Sequence, residues 1–260
     1  MLKRFFKDTQ KYYGYSVIAA RAQLKREVAD SYLNWIWWIL DPLCFMLIYA
    51  FIFGYVFQAR EPFFAVFIFI GLTLWTFFSK TLSQSVRIIK ANKPIVSKVY
   101  FPKFILILIK IWNNGFKLLV SFAIIVLMML FYRVPLSWNV FWIFPILLTL
   151  AVFTFACSCF LLHYGVYVAD LANVINIVLR FFFYLSGIFY NIESRVPTYG
   201  ALFNRANPMA FLITSARQCL IYEQTPDWKL LLFWLVFSIL LSMAGIRKIY
   251  KEENSYVKSI

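Results

Sequence analysis

The chain has 260 residues, of which 63% are hydrophobic and only 14% are charged, and its formal net charge at pH 7 is +15. Soluble domains have roughly half apolar and about 25% charged residues, so this composition excludes an ordinary soluble protein. The basic residues occur in short blocks at the ends of apolar segments, as in the flanks of membrane spans. We therefore expect a membrane protein and no nucleic-acid partner.

Residues 1–34 form the first predicted unit, an amphipathic helix at the membrane interface. Apolar residues recur at helical spacing on one side and basic residues occupy the other, which is typical of a helix that lies in the interface. The apolar set is Leu2, Phe5, Phe6, Tyr12, Tyr13, Val17, Ala20, Leu24 and Val28. Two roles stay open, a structural anchor and a docking element.

Six apolar segments follow, and each is long enough to cross the bilayer as a helix, which takes roughly 20 residues. They lie at about 35–57, 63–85, 104–131, 139–162, 173–190 and 228–246. The predicted fold class is therefore an all-α integral membrane protein with six transmembrane helices in residues 35–250. A short connection at 58–62 joins the first and second segments, and another at 132–138 joins the third and fourth. Both lie on the same side of the membrane.

Basic residues indicate which side of the membrane is cytosolic. Lys and Arg concentrate in residues 1–34, in the loop at 86–103 and after residue 246, and an even number of spans places these three regions on one side. The positive-inside rule makes that side cytosolic. Both termini, the loop and the tail at 251–260 are thus predicted to be cytosolic.

The third outer connection, residues 191–227, is long and contains a predicted helix at 207–223. Asn207 and Pro208 form a helix start, but the apolar stretch that follows is too short to cross the membrane. One interpretation is a re-entrant helix that enters the outer leaflet and returns, covered by protein. The alternative is a helix that lies flat on the surface.

Residue types that support catalysis are scarce. The sequence has no GxxxxGK[ST] phosphate-binding loop, and its single histidine, His163, excludes a two-histidine metal motif. The spacing of the cysteines matches neither zinc nor redox sites, so we interpret them as packing residues: Cys44, Cys157, Cys159 and Cys219. We predict no catalytic residue, no metal and no cofactor on this chain, and a conduit rather than an enzyme.

Four segments, in this order and spacing, resemble the membrane subunit of type 2 ABC exporters that carry polysaccharides. They are YLNWIWWILDPL at 32–43, NKPIVSKVYFPKF at 92–104, YLSGIFYNIE at 184–193 and NPMAFLITSARQCL at 207–220. The resemblance covers essentially the whole chain, although many relatives have Ser-Pro where this chain has Ser186-Gly187. It implies export of a lipid-linked glycan, such as O-antigen or teichoic acid, across the bacterial plasma (inner) membrane.

The resemblance also implies partners. The family assembles two copies of the membrane chain with two copies of a separate ATPase subunit, which binds ATP and magnesium. The loop between its second and third spans carries a coupling helix that sits in a groove of the ATPase. The corresponding residues here are Arg87, Lys90, Asn92, Lys93, Pro94, Ser97 and Lys98. The alternative is that these cations only establish the topology.

Two spans are implied by the resemblance to line the conduit, and both carry aromatic residues. These are Trp38, Phe45 and Tyr49 in the first span, and Tyr184, Phe189 and Tyr190 in the fifth. Aromatic rings stack on the C–H faces of sugars without requiring one fixed hydrogen-bond pattern, which suits a sliding polymer. The alternative is that these rings pack in the core, face lipid or anchor the interface.

Basic residues inside the spans are a second signal. A cation at the bilayer centre costs roughly 2.5–3.5 kcal/mol on insertion scales, so it should face protein or water. We predict that Arg180 and Lys117 attract the phosphate of a lipid-linked substrate, whereas Lys80 and Lys110 reach the interface.

Three other functions stay open at this point. The first is a type 2 permease for a drug or a small lipid. The second is a membrane-embedded transferase, although the acid pair or His-Asp arrangement that it would need is not apparent. The third is a structural or assembly protein of the membrane.

Overall fold

The computed structural model describes residues 2–29, 32–56, 61–195 and 198–258, and within these ranges its regular structure is entirely helical. This confirms the predicted all-α class. The helices are α1 (Leu2–Ala29), α2 (Trp37–Tyr49), α3 (Phe64–Val86), α4 (Ile88–Ala91), α5 (Lys93–Val96), α6 (Phe104–Phe131), α7 (Ile143–Tyr167), α8 (Leu171–Leu185), α9 (Ile192–Arg195), α10 (Gly200–Ala206), α11 (Pro208–Leu220) and α12 (Trp228–Lys258). A π-helical segment, Ala50–Val56, continues α2, and a 3₁₀ turn, Trp138–Trp142, precedes α7.

Five helical segments in the described ranges are long and apolar enough to cross a membrane: Trp37–Tyr55, Phe64–Val86, Phe104–Phe131, Trp138–Tyr167 and Trp228–Glu253. They correspond to five of the six predicted spans. Most of the short connection predicted at 58–62 lies outside the described residues. The last helix continues beyond its predicted end, so the predicted tail is helical as far as residue 258; residues 259–260 lie outside the description.

The predicted fifth span, 173–190, differs from the structure at its end. Helix α8 has 15 residues and stops at Leu185, so it is about 22 Å long, shorter than a hydrocarbon core of about 30 Å. Gly187 follows with φ 65°, a left-handed conformation that commonly ends a helix. The predicted continuation of this helix through residue 190 is therefore wrong, and residues 186–190 form turns instead.

Helix α3 is the centre of the bundle. In its N-terminal half, residues 64–72, the side chains are apolar on all sides, and those from Val66 to Phe69 are almost completely buried. It contacts α2, α6, α7, α8 and α11. A helix that is hydrophobic all round is expected in the interior, and here it supplies the surface against which the other helices pack.

A second apolar cluster closes one end of the bundle, which we call the basal end. It joins Ile88 and Ile89 of α4 to the start of α6 at Phe104, the end of α7 at Leu162 and the last turns of α12 at Ile249. Helix α4 therefore anchors the loop between α3 and α6 to three long helices.

Helix α1 packs along α6 through only part of its predicted apolar side. Ala20, Leu24 and Val28 are buried at four-residue spacing, whereas Phe6 and Tyr13 remain 68% and 53% exposed. The side chain of Leu2 lies outside the description. The helix thus has one face that binds α6 and a separate exposed apolar edge near its N-terminus.

Helix α11 begins where the sequence predicts. The Oδ1 atom of Asn207 accepts hydrogen bonds from the backbone N–H groups of Met209 and Ala210 at 3.1 and 3.3 Å, and Pro208 is in the first turn. Such a cap satisfies N–H groups that have no partner within the helix. Most of α11 is buried, and it packs against α3 and α7.

Helices α3 and α7 approach most closely at Gly165, because a Cβ there would overlap the carbonyl oxygen of Val86. We expect Gly165→Ala to lower the melting temperature of the purified protein in detergent by several degrees, since backbone rather than a flexible side chain must shift. The measurement is thermal unfolding followed by tryptophan fluorescence.

Gly14→Ala is the matched control for this variant. It makes the same chemical change inside helix α1, where a Cβ would meet nothing within 4 Å. Alanine in a helix interior is favoured over glycine by roughly 0.5–1 kcal/mol, so this variant should be neutral or stabilising. Equal melting temperatures for the two variants would contradict the close approach of α3 and α7.

Candidate functional site

A cavity lies between α2, α3, α6 and α8, next to the C-terminal end of α1. It has a narrower part of about 520 Å³ and a wider part of about 990 Å³. The two parts share Glu27, Tyr49, Lys80, Lys117 and Phe183 in their linings. We call the two parts together the central cavity.

Aromatic side chains form much of the wall of this cavity. Trp38, Phe45 and Tyr49 line the narrower part, and Tyr184 lines the wider part. Four of the six aromatic residues selected from the sequence are thus brought together around one space. The sequence analysis missed Phe183, which faces both parts and belongs to an uninterrupted aromatic run in α8, residues 181–184.

Phe189 and Tyr190, the other two predicted aromatic residues, do not line the cavity but contact residues of its wall, at the end away from the basal end. The Phe189 ring is buried, and its centroid lies 4.4 Å from that of Phe53 and 4.8 Å from that of Tyr49. The Tyr190 hydroxyl donates a hydrogen bond of 2.8 Å to the carbonyl of Tyr184. Both residues therefore support the wall of the cavity from behind.

Two lysines of the cavity have acidic partners that sequence reasoning missed. Lys117 forms an ion pair with Glu27 of α1, and Lys80 lies 3.6 Å from Asp41 of α2. Lys110, two helical turns before Lys117, donates a hydrogen bond of 3.0 Å to Gln23. A signal existed in the sequence, because residues 23 and 27 share one face of α1 and residues 110 and 117 share one face of α6.

Arg180 differs from these lysines. Its side chain is exposed, it lines the wider part of the cavity, and no described residue forms a hydrogen bond or an ion pair with it. Within the described lining of that part, Lys80, Lys117 and Arg180 accompany a single carboxylate, Glu27. The wider part therefore carries an excess of positive charge and suits an anionic group.

The loop predicted to dock an ATPase forms two short helices, α4 and α5, which have a buried apolar side and an exposed basic side. Ile88, Ile89 and Val96 are buried in the basal cluster. The exposed side carries Arg87, Lys90, Lys93, Pro94, Ser97 and Lys98, which we call the basic basal surface. Asn92 is half-buried and caps α4 by donating from Nδ2 to the carbonyl of Ile88 at 2.7 Å. The helix breaks at Asn92, and Pro94 lies in the first turn of α5.

A polar network connects this loop to both ends of the chain. Arg4 donates hydrogen bonds to Tyr100 at 2.8 Å and to Glu253 at 3.4 Å, and the Tyr100 hydroxyl donates to Glu253 at 3.1 Å. Burial and the neighbouring Glu253 raise the pKa of Tyr100, whereas burial lowers the pKa of Lys103. The network joins α1, the end of the loop and α12 at the basal end.

His163 is part of the packing in this region. Its Nδ1 atom lies 2.8 Å from the hydroxyl of Tyr256, within the contact between α7 and α12. Among the described residues, no group of three His, Cys, Asp or Glu side chains has the arrangement of a metal site.

Comparisons of the sequence with known proteins identify a family and several relatives. The model of the family described as "ABC-2 type transporter" matches residues 17–221. A protein of Myxococcus xanthus named O-antigen export system permease protein RfbA is 24% identical over 259 residues, which cover 99% of each chain. Two proteins of the same name from Klebsiella pneumoniae are 26% identical over 231 and 233 residues, which cover 88% of each chain.

The ion pair between Glu27 and Lys117 should stabilise the packing of α1 on α6. We expect Glu27→Gln and Lys117→Met each to lower the free energy of unfolding, and the double variant to lose less than the sum. A coupling energy of about 1 kcal/mol is expected, because the pair is only partly exposed. The measurement is a double-mutant cycle of unfolding in mixed micelles.

The pair of Asp41 and Lys80 is the matched control for this cycle. Both side chains are 50% exposed and their charged atoms are farther apart, so the coupling measured with Asp41→Asn and Lys80→Met should be smaller. A larger coupling energy for the control pair than for Glu27 and Lys117 would contradict the role of the Glu27–Lys117 pair in stabilising the packing of α1 on α6.

Proposed function

The chain belongs to the ABC-2 type transporter family, and from that premise we propose that it is the membrane subunit of an exporter of lipid-linked polysaccharide. The family makes it a transporter subunit rather than an enzyme, and implies an ABC ATPase as its partner. The observation that carries the proposal is the central cavity, which combines an aromatic wall with an excess of cations. The substrate class is O-antigen or a related envelope glycan, in agreement with the names of the similar proteins.

The aromatic wall suits a sugar polymer. Trp38, Phe45 and Tyr49 present rings at successive levels of α2, and Phe183 and Tyr184 present rings from α8. A sugar ring has an apolar C–H face that packs on an aromatic face, and this contact does not require one fixed orientation of hydroxyl groups. A chain of sugars can therefore move along such a wall without having to break a strong specific interaction at each step.

The excess of cations suits the phosphate through which the glycan is joined to its lipid. Arg180 has no partner among the described residues, so its guanidinium is available to a phosphate oxygen. Lys117 stands beside the same space, and the neighbouring Ser79 supplies a hydroxyl group. Guanidinium and phosphate form strong charge-assisted hydrogen bonds.

The proposed orientation places the basal end in the cytosol. The basic basal surface, both termini and the cytosolic mouth of the cavity then lie on one side of the bacterial plasma (inner) membrane, as the positive-inside rule requires. In this arrangement α8 with the turns at 186–190 completes a sixth crossing. Helices α10 and α11 form a re-entrant outer segment, and the exposed apolar edge of α1 lies in the cytosolic interface.

Two copies of the chain are proposed to enclose the conduit. The first span is scarcely buried within one copy, and Leu47, Phe51 and Tyr55 on it are 61%, 61% and 77% exposed. Ile177 and Phe181 on α8 are similarly exposed, at 68% and 62%. A second copy packed against α2 and α8 covers these surfaces and converts the two open cavities into one passage.

Energy enters from two ATPase subunits that hold ATP and magnesium. They dock on the basic basal surface, and α4 transmits their movement through the basal cluster to α6 and α7. The network of Arg4, Tyr100 and Glu253 transmits the same movement to α1 and α12. Helix α1 then changes the position of Glu27 beside Lys117, so closure of the ATPases alters the charge of the cavity.

Arg180 tests the substrate assignment. We expect Arg180→Gln to reduce export of a phosphate-linked glycan about tenfold, because a charge-assisted hydrogen bond contributes roughly 1.5–3 kcal/mol. The measurement is glycan export into vesicles that contain the purified complex. Arg195→Gln is the matched control, because Arg195 is also exposed but does not line the central cavity. Unchanged export by the Arg180 variant would contradict the proposed contact between Arg180 and the phosphate of the substrate.

Cross-linking tests the docking surface. We expect Ser97→Cys to be trapped with a cysteine in the ATPase subunit when the complex is oxidised, since Ser97 is exposed on the basic basal surface. Ser194→Cys is the control, with an exposed serine at the other end of the bundle, and it should give no such product. The measurement is electrophoresis without reducing agent. Trapping at 194 but not at 97 would reverse the proposed orientation.

A further inference from the structure

A buried arginine, Arg217 of α11, holds three parts of the chain together. Its side chain donates hydrogen bonds from Nε to the carbonyl of Phe67 at 3.1 Å, from Nη1 to Gly187 at 2.7 Å and from Nη2 to Ile188 at 2.7 Å. The residue is 3% exposed, and its guanidinium lies 3.4 Å from the centroid of the Phe67 ring. The sequence analysis did not select this residue.

The surroundings of Arg217 provide the room that its contacts need. A Cβ on Gly71 would come within 2.7 Å of Nη2, so a side chain at residue 71 would displace the guanidinium. Gly187 adopts φ 65°, which turns the chain sharply after α8 and directs two consecutive carbonyls at the arginine. A buried cation is costly unless its donors are satisfied, and here the guanidinium donates to one carbonyl of α3 and to two carbonyls of the turn.

The turn that Arg217 holds leads directly to Phe189. The Phe189 ring stacks on Phe53 at 4.4 Å and contacts Tyr49 at 4.8 Å and Phe183 at 5.2 Å. Tyr49 and Phe183 line the central cavity, so these four rings lie at its end away from the basal end. We call them the outer aromatic seal.

We propose that Arg217 is a positioning residue for export, which fixes the turn at 187–188 on α3 and α11 so that Phe189 closes the outer aromatic seal in the resting transporter. This inference rests on the proposed function, because it assumes that the central cavity is part of the export path. Arg217 acts through Phe189 and does not touch the substrate itself.

The contacts of Arg217 also determine which parts of the chain move together when the path opens. The turn at 187–188, the first turns of α3 and helix α11 are joined by one guanidinium, so they move as a unit. Opening then occurs on the α2 side of the seal, where Phe53 belongs to the π-helical segment Ala50–Val56. π-helical turns frequently mark functional sites. This side of the seal is also the one with the least buried packing, since the first span is mostly exposed.

The test uses a cysteine reporter inside the cavity of the full complex without ATP. Thr73→Cys is introduced after the four native cysteines have been replaced by alanine. Thr73 lines the narrower part, and its Oγ1 has no hydrogen-bond partner among the described residues. A membrane-impermeant thiol reagent is added from the outer side, and the rate of labelling reports whether the seal is closed.

With Arg217 and Phe189 present, we expect slow labelling. Phe189→Ala and Arg217→Gln should each accelerate labelling about tenfold, which corresponds to a shift of about 1.4 kcal/mol in the closed-to-open equilibrium. The double variant should label no faster than Phe189→Ala alone, because Arg217 acts through that ring. Arg217→Lys should resemble Arg217→Gln, since one ammonium group cannot reach three carbonyls as the guanidinium does.

Two outcomes would overturn the proposal. If Phe189→Ala labels as slowly as the parent, the rings are not a seal. If Phe189→Ala labels fast but folded Arg217→Gln labels slowly, Arg217 is only a structural residue. If Arg217→Gln does not assemble, Gly71→Ala serves as the second variant, because it keeps the arginine but displaces Nη2. Slow labelling of Gly71→Ala would likewise show that Arg217 is only a structural residue.

Failure of the seal can be distinguished from failure of the proposed function. Labelling is measured without ATP and without glycan, so it reports only the closure of the cavity. Export of glycan by the parent complex tests the function independently. If the parent complex exports no glycan but the variants show the expected labelling pattern, the role of Arg217 in closing the cavity is supported and the substrate assignment is wrong.

Discussion

The requirement that every cation within the apolar part of this chain has a partner or water organises the whole molecule. Lipid supplies neither, and leaving such a charge unsatisfied is expensive. Lys117 pairs with Glu27, Lys80 with Asp41, and Arg217 with three backbone carbonyls. Each partner belongs to a different element from its cation, so each pair fixes the position of one helix on another. Arg180 has no such partner among the described residues and lines the central cavity instead, which is why we propose that it binds an external anion.

Helix α1 connects the two functional regions more directly than any span does. Arg4 near its start belongs to the basal network, and Glu27 near its end belongs to the central cavity. The two residues lie about 35 Å apart along one helix axis. A single helix therefore links the basal network to the cavity, while Ile88 and Ile89 of α4 pack against α6 and α7. In the transport cycle proposed above, a helix in this position transmits movement as well as anchoring the chain.

Much of the fold was predictable because it depends on local patterns. Runs of apolar residues predicted the five helices of membrane-spanning length, and Asn207 with Pro208 predicted the start of α11. The spacing of Trp38, Phe45 and Tyr49 placed them on one face of α2, and all three line the cavity. The end of α8 was not predicted, because apolar residues continue through 188–190, although Gly187 is the residue type that most often ends a helix in the left-handed conformation.

The sequence by itself determined that this chain enters a membrane as a set of helices with a basic end, because composition and periodicity decide which segments prefer lipid and which side retains the positive charge. Only the tertiary structure decided that Glu27 meets Lys117, that Arg217 reaches the turn at 187–188, and that Phe189 backs Tyr49. These contacts join residues far apart in the chain. They depend on how each helix is rotated and where it crosses its neighbours, and side-chain packing, rather than any local pattern, sets those two quantities.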